Sequence, residues 1–386
     1  MKVLSIETSC DETAVAILEA TGSKESARFT ILGNALYSQI DVHREFGGVF
    51  PAVAKREHAK NLTPLLRAAL IEAGMYVDGP TLNVEKKIGA LLDREHDLKE
   101  QLVEFLSGVV VPDIDAIAVT RGPGLEPALW VGVNFAQALS LVWEKPLVPV
   151  DHMEGHLLAS LVKGDARSFS ISDLQFPALA LLISGGHTEL ILMGGWHSYA
   201  LVGRTRDDAV GEAFDKVARM LGLPYPGGPE ISRLAHPMRA SDSAVKLPRP
   251  MISSPDFDFS FSGLKTAVMY LVKDRELTDT DKCEVAREFE DAAVEVLYAK
   301  TAKALEESEA KTLAVGGGVS ANRHLKTYFS ERLAQEHPHV QVYFPPEGFT
   351  GDNAVMIGIA GFYRAQEGEF MEAGSMRADG NLALER

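Results

Sequence analysis

The sequence is short of cysteine, of positive charge and of long apolar runs. Two cysteines, Cys10 and Cys283, among 386 residues exclude a disulfide framework and are too few for a structural zinc site, so reduced thiols are expected. No apolar stretch approaches the roughly 18–20 residues of a membrane span. Glu7, Asp11 and Glu12 interrupt the first apolar residues, which argues against a signal-peptide core. The expectation is a soluble cytoplasmic protein without a membrane partner. Lys and Arg number 38 against 54 Asp and Glu, a net charge of -16, which argues against binding nucleic acid by bulk electrostatics. Phosphate contacts would need a local strip (Lys55, Arg56 and Lys60; Lys246 with Arg249; Arg323 with Lys326) or a partner protein. Each strip alone reads first as solvated surface charge. What remains is ordinary: 46% hydrophobic and 24% charged residues, enough for two globular domains.

The segment VLSIETSCDETAVAIL reads as strand, polar turn and strand, and PALALLISGGHTELILM, residues 177–193, repeats the design. A small-residue turn between two apolar strands exposes backbone N–H groups and hydroxyls that suit a phosphate or carboxylate, although any hairpin needs such a turn. Two copies half a chain apart favour a duplicated fold. HAKNLTPLLRAALIEAG has helical apolar spacing and stops at Gly74. IDAIAVTRGPGLEPALWVGVNFAQAL and KTLAVGGGVSANRHLKTYFSERLAQ each read as strand, glycine loop and helix, an α/β rhythm. Residues 75–111 break it with a charged amphipathic stretch, expected to be one inserted helix decorating the surface. NAVMIGIAGFYRAQ is a helix, followed by a polar tail expected to be partly flexible.

VDHMEGHLLAS puts His152 and His156 four apart, so one helix face could aim both imidazoles at a metal ion. Coincidence explains a lone pair equally well. A zinc-protease helix needs Glu directly after the first His; Met153 stands there, and Glu154 would point away. FTGDNAVMIG offers Asp352, whose residue-level reading is a helix N-cap. Gly185 and Gly186 read as a tight turn beside Ser184 and Thr188. AVGGGVSANRHL places Gly316, Gly317 and Gly318 between strand and helix with Asn322 at the helix start, a layout for nucleotide phosphate or ribose. It lacks the endings of a P-loop or dinucleotide fold. In DDAVGEAFDKVARMLGLPYPGGPEI, Asp215 is either an exposed helix carboxylate or a ribose partner, and Gly227 and Gly228 form a turn.

Together these motifs resemble the threonylcarbamoyl-adenosine tRNA transferases, the TsaD/Kae/Qri group once called O-sialoglycoprotein endopeptidases. IETSCDET, YSQIDVHREFGGVFPAVAKREH, GPGL, DHMEGHL, LLISGGHTEL, DDAVGEAFDKVARMLGL, YPGGP, DFSFSGLKTAV, GGGVSANR and TGDNAVMIG occur in the family's order. Pro127 after GPGL departs from a common glycine. The resemblance implies an α/β duplicated actin-like ATPase fold, two lobes around a nucleotide cleft. It assigns 1–150 to the first lobe, with the insertion at 75–111, and 151–350 to the second lobe with the metal and nucleotide sites. A helix returning to the first lobe, then the tail, fill 351–386. It implies that His152, His156 and Asp352 hold one divalent metal, iron before zinc. Leu182, Ile183, Ser184, Gly185, Gly186, Asp215, Gly228 and Asn322 would hold threonylcarbamoyl-AMP. The implied reaction carries the threonylcarbamoyl group to the exocyclic amine of the adenosine 3′ of the anticodon in tRNAs reading ANN codons, with release of AMP. The implied partners are an inert paralogue like TsaB and a small ATPase like TsaE. Asp11 and Glu12, in the first hairpin, are the catalytic candidates, Asp11 as general base. A metallopeptidase, a non-catalytic nucleotide-binding partner and a sugar or acetate kinase are the competing readings. The expected outcome for Asp11→Ala is loss of transfer with adenylate binding intact; equal loss of both in paired transfer and calorimetric assays would make its role structural.

Overall fold

The computed structural model describes residues 1–80, 83–93, 95–239 and 245–384. The chain divides into two compact units, the first comprising 1–41, 49–173 and 351–383, the second 42–48, 174–350 and 384–386. The first unit carries β1 (Lys2–Glu7), β2 (Glu12–Ser23), β3 (Ser26–Ser38), β4 (Ala116–Gly122), β5 (Leu147–Asp151), β6 (Lys163–Gly164) and β7 (Ser168–Ser172), in the order β5-β4-β1-β2-β3-β7-β6. The second carries β8 (Ala178–Ile183), β9 (Thr188–Gly195), β10 (Ser198–Arg204), β11 (Thr312–Gly316) and β12 (Gln341–Tyr343), in the order β10-β9-β8-β11-β12.

Strand directions establish the duplication. In the first sheet β1 pairs antiparallel with β2 and β2 with β3, while β4 and β5 follow in parallel on the other side of β1. In the second, β8, β9 and β10 make the same antiparallel meander, and β11 and β12 the same parallel extension. This is the duplicated actin-like α/β architecture. The central strands of the second sheet are largely apolar because both faces are covered: all six residues of β8 and all five of β11 are buried. Among the described residues no helix is long and apolar enough to cross a membrane.

One helix of the first unit comes from the end of the chain. Ala354–Gln366 packs on β1, β2, β4 and β5, and Asn353 caps it by accepting the Met356 N–H at 2.9 Å. Its backbone lies against the sheet: a Cβ at Gly361 would stand 2.4 Å from Ala118 Cβ. Farther along, Arg364 forms a buried ion pair with Glu154, their side chains 4% and 0% exposed. That pair ties the last helix to the helix His152–Ser160.

Several expectations change here. The unit boundary falls near 173 rather than 150, because β7 pairs with β3 and the helix His152–Ser160 packs against Ala354–Gln366. His152 and His156 therefore belong to the first unit. Among its described residues the 75–111 stretch has two helices, Glu85–Ile88 and His96–Ser107, and is no surface decoration: Ile88, Leu92, Leu98, Leu102 and Phe105 join the core of the first unit. Gly227 and Gly228 open a helix, Gly227–Ala235, instead of forming a free turn. The tail is docked, with Met376 wholly buried. Arg249 is engaged by Glu288 and Glu295 and is not free for phosphate, and Lys55 pairs with Glu95 at 3.5 Å.

Truncating one member of a buried ion pair strands the other charge, at a cost of about 3–5 kcal/mol. Arg364→Ala should lose stability of that order in urea unfolding. Glu154→Leu/Arg364→Met should recover most of it; no recovery would assign the loss to packing.

Candidate functional site

The first hairpin turn, Thr8–Asp11, lies where β1 leaves the sheet, beside the start of the helix His152–Ser160. Asp151, the last residue of β5, starts that helix by accepting the N–H groups of Met153 and Glu154 at 2.8 and 3.2 Å. Burial, with the Glu154 charge nearby, pushes the Asp151 carboxyl up to about 7. All nine residues of the helix are buried, so His152 and His156 are confined, their ring centroids 4.7 Å apart. Asp352 meets both: its Oδ1 lies 3.0 Å from His156 Nε2 and 3.4 Å from His152 Nε2. The residue-level reading of Asp352 as an N-cap does not hold, since Asn353 performs that task and leaves Asp352 facing the histidines.

Behind His152 stands Glu7, whose side chain is fully buried in β1. Its Oε2 is 3.1 Å from His152 Nδ1 and accepts the Thr120 hydroxyl at 2.7 Å, while Oε1 accepts the Ser9 N–H. Burial alone would push the Glu7 carboxyl up, but the imidazole of His152 outweighs it and holds it below the usual range. Burial likewise disfavours charge on His152, yet Asp352 and Glu7 hold its pKa well above that of a free imidazole. Two carboxylates and two imidazoles thus converge in one buried pocket, a donor set that favours a cation.

The residues fit a divalent metal. One ligand atom from each of His152, His156 and Asp352 lies within 4.8 Å of the others, and two imidazoles with one carboxylate suit iron or zinc. Glu7 on Nδ1 supplies the outer carboxylate that metal-binding histidines ordinarily have. In the sequence Glu7 reads only as a charge interrupting an apolar run; the signal for its place beside His152 is that a carboxylate stands inside VLSIE. Glu154 points away from the centre, into its pair with Arg364.

Asp11 is buried and Glu12 partly so, in the same hairpin. Burial together with the charges of Asp11 and Asp352 pushes Glu12 up to about 10. The hairpin is braced by His58, which contacts the Thr13 hydroxyl at 2.8 Å and the Cys10 carbonyl at 3.0 Å.

The second unit gathers the other sequence candidates at the ends of its parallel strands β8 and β11, where α/β sheets bind ligands. Ser184 N–H donates to the His187 carbonyl at 2.9 Å to close the hairpin turn. Gly317 packs on β8, its missing Cβ only 2.4 Å from the Ile183 oxygen, and Gly211 packs on Ser184. Asp215 accepts the Gly227 N–H at 2.7 Å, which joins the helices Val210–Met220 and Gly227–Ala235. Leu182 and Ile183 are wholly buried, backbone included, in the sheet, so neither presents a surface to a ligand. The Asn322 side chain is committed: its oxygen caps the helix Arg323–Glu336 through Leu325 N–H, and its NH2 donates to Glu290 at 2.6 Å and Ser232 at 3.1 Å.

The glycines separate into two kinds. Gly227 is required by packing, a Cβ there standing 2.5 Å from Ala218 Cβ. At Gly185, Gly186, Gly228 and Gly318 a Cβ would meet nothing within 4 Å, and none has a positive φ. Neither protein packing nor backbone conformation calls for glycine at these four positions. Close approach of a ligand to bare backbone would.

Comparison with known proteins gives a concordant result. The profile of "TsaD: tRNA N6-adenosine threonylcarbamoyltransferase" matches residues 30–79 and 99–359, leaving out only part of the 75–111 stretch between them. The Persephonella marina protein named tRNA N6-adenosine threonylcarbamoyltransferase is 42% identical over 95% of this chain and 91% of its own. Its namesake in Nitrosospira multiformis is 43% identical over 96% of this chain and 92% of its own. Among solved structures, full-length HypF in its phosphate- and nucleotide-bound form aligns over 73% of this chain and 51% of its own, with 13% identity and a TM-score of 0.48.

The two kinds of glycine should respond differently to valine. Gly227→Val overpacks the helix contact and is expected to cost about 1–3 kcal/mol. Gly228→Val should stay within roughly 1 kcal/mol of the parent in thermal unfolding; equal losses would remove the distinction.

Proposed function

Because this chain belongs to the tRNA N6-adenosine threonylcarbamoyltransferase family and is an acyltransferase acting in tRNA threonylcarbamoyladenosine modification, we propose a specific reaction for it. The threonylcarbamoyl group of threonylcarbamoyl-AMP passes to the exocyclic amine of the adenosine 3′ of the anticodon in tRNAs reading ANN codons. A carbon–nitrogen bond forms, the carbonyl–phosphate bond breaks, one amine proton is lost and AMP leaves. The observation that carries this reading is the meeting of His152, His156 and Asp352 over the buried carboxylate of Glu7.

A divalent metal held by that triad, iron before zinc, would supply Lewis acidity toward the carbonyl oxygen. The protein's own groups do the remainder. Glu7 holds the His152 ring through Nδ1 and keeps Nε2 directed at Asp352. Glu12, whose carboxyl is pushed up by burial and the Asp11 charge, is the hydrogen-bond donor candidate of the hairpin. Asp11 is left to accept the amine proton. Bare backbone at Gly185, Gly186, Gly228 and Gly318 receives the adenylate, and N–H donors there steady the departing phosphate. Leu182 and Ile183, wholly buried, hold the hairpin turn in place, and Asn322, its NH2 committed to Glu290, acts through the remaining lone pair of its oxygen.

The enzyme works in the cytoplasm with an inert TsaB-like paralogue and a small TsaE-like ATPase. A net charge of -16, with Arg249 already ion-paired, makes partner-supplied cations the natural complement to tRNA phosphates. The peptidase alternative lacks its base, because Glu154 faces Arg364.

Nucleoside mass spectrometry on tRNA incubated with threonine, bicarbonate, ATP, the adenylate-making enzyme and the partners tests the proposal. Threonylcarbamoyladenosine should appear with the parent protein and fall at least about 100-fold with His152→Ala, together with loss of bound metal by elemental analysis. Gly228→Val should fold and fail to bind AMP in calorimetry. A folded, metal-loaded parent that makes no product with competent partners would leave the non-catalytic nucleotide-binding role as the better account.

A further inference from the structure

After the helix Ala354–Gln366 the chain turns back across the first unit. Met371 N–H donates to the Leu147 carbonyl at 2.9 Å, and Gly374 N–H to the buried Gln137 side chain at 2.7 Å. Met376 then fills a wholly buried position. Asp379 and Gly380 land on the loop between β4 and the helix Glu126–Trp143. There Asp379 N–H donates to the Arg121 carbonyl at 2.8 Å, and Gly124 N–H to the Gly380 carbonyl at 3.2 Å.

The loop is pressed from both sides by backbone. On the outer side, a Cβ at Gly122 would lie 1.9 Å from the Asp379 oxygen. On the inner side, a Cβ at Gly124 would lie 2.6 Å from the Ser9 oxygen, and Leu125 N–H donates to that same oxygen at 2.8 Å. Ser9 in turn sets its hydroxyl 3.2 Å from His152 Nδ1. At each of these glycines the nearest atom is backbone, and close-packed interiors transmit such shifts.

We propose that the C-terminal strap, residues 374–382, is a positioning element for the metal centre, acting through the Gly122–Pro123–Gly124 loop and Ser9 on the His152 imidazole. It rests on the metal reading above for what His152 does, but the mechanical coupling concerns the ring itself. Nδ1 of His152 is contacted by Glu7 and by Ser9. Glu7 is fixed inside β1, whereas Ser9 stands in a turn whose outer wall is the strap-held loop. Releasing the strap frees one of the two groups that orient the ring.

Gly380→Val in the full chain tests this, since a Cβ there stands 2.9 Å from the Gly124 oxygen. Arg377→Ala, whose exposed side chain donates only to the strap's own carbonyls, is the control. Zinc affinity is measured by chelator competition, His152 ring nitrogens by long-range proton–nitrogen spectra of the metal-free protein, and folding by thermal unfolding. Gly380→Val should bind zinc roughly tenfold more weakly and shift the His152 Nδ1 resonance, with Arg377→Ala matching the parent. Unchanged affinity and unchanged His152 resonances would overturn the proposal, whatever the melting temperature does. Should the valine variant not fold, Asp379→Pro, which removes the hydrogen bond to Arg121, is read by the same criteria. A parent that binds no zinc while its His152 resonances still move in Gly380→Val would sink the metal reading and leave the strap standing.

Discussion

The contact between the Glu7 carboxylate and His152 governs the first unit. A charged carboxylate with no solvent exposure is costly unless it is paired and fully hydrogen-bonded. Glu7 meets that requirement with the Thr120 hydroxyl, the Ser9 N–H and the His152 ring. Those partners come from β4, the first hairpin turn and the helix after β5, so β1, β4 and β5 must be in register for the charge to be satisfied. The same register sets the hairpin with Asp11 and Glu12 beside the histidines. Sheet order and site chemistry here are one constraint.

The second unit applies the same strand order to a different end. Its hairpin turn between β8 and β9 has two glycines, Gly185 and Gly186, where the first unit has Thr8–Asp11. One copy has kept side chains in the turn, among them Asp11 and Ser9, whose hydroxyl stands 3.2 Å from His152 Nδ1. The other has emptied it to bare backbone. On the function proposed above, a duplicated fold would serve two dissimilar tasks, cation chemistry and nucleotide holding, at equivalent topological positions.

Much of this was legible in the sequence. The two hairpins, the glycine loops and the helices after them follow from alternation, glycine punctuation and helical spacing, which are local. The four-residue separation of His152 and His156 located the helix face. What escaped depended on distant contacts. Asp352 reads locally as a cap, and only the neighbouring Asn353 taking that task shows otherwise. Glu7 looks like an interruption of a strand until Thr120 and His152 arrive from residues far along the chain. The 75–111 stretch is polar enough to pass for surface, yet its apolar side closes the core. Asn322 looks available because nothing local reveals that Glu290 and Ser232 occupy its amide.

The composition of the first unit carries a consequence for how the protein is made. Glu7 and Asp352 stand at opposite ends of a discontinuous unit, with residues 174–350 of the second unit translated between them. During synthesis the second unit therefore leaves the ribosome before the centre has its third ligand. A chain stopped between the second unit and Asp352 has both histidines and Glu7 but lacks Asp352 and the helix Ala354–Gln366 that packs against them. On the proposed reading of the triad, a complete ligand set arises only after the second unit has been made.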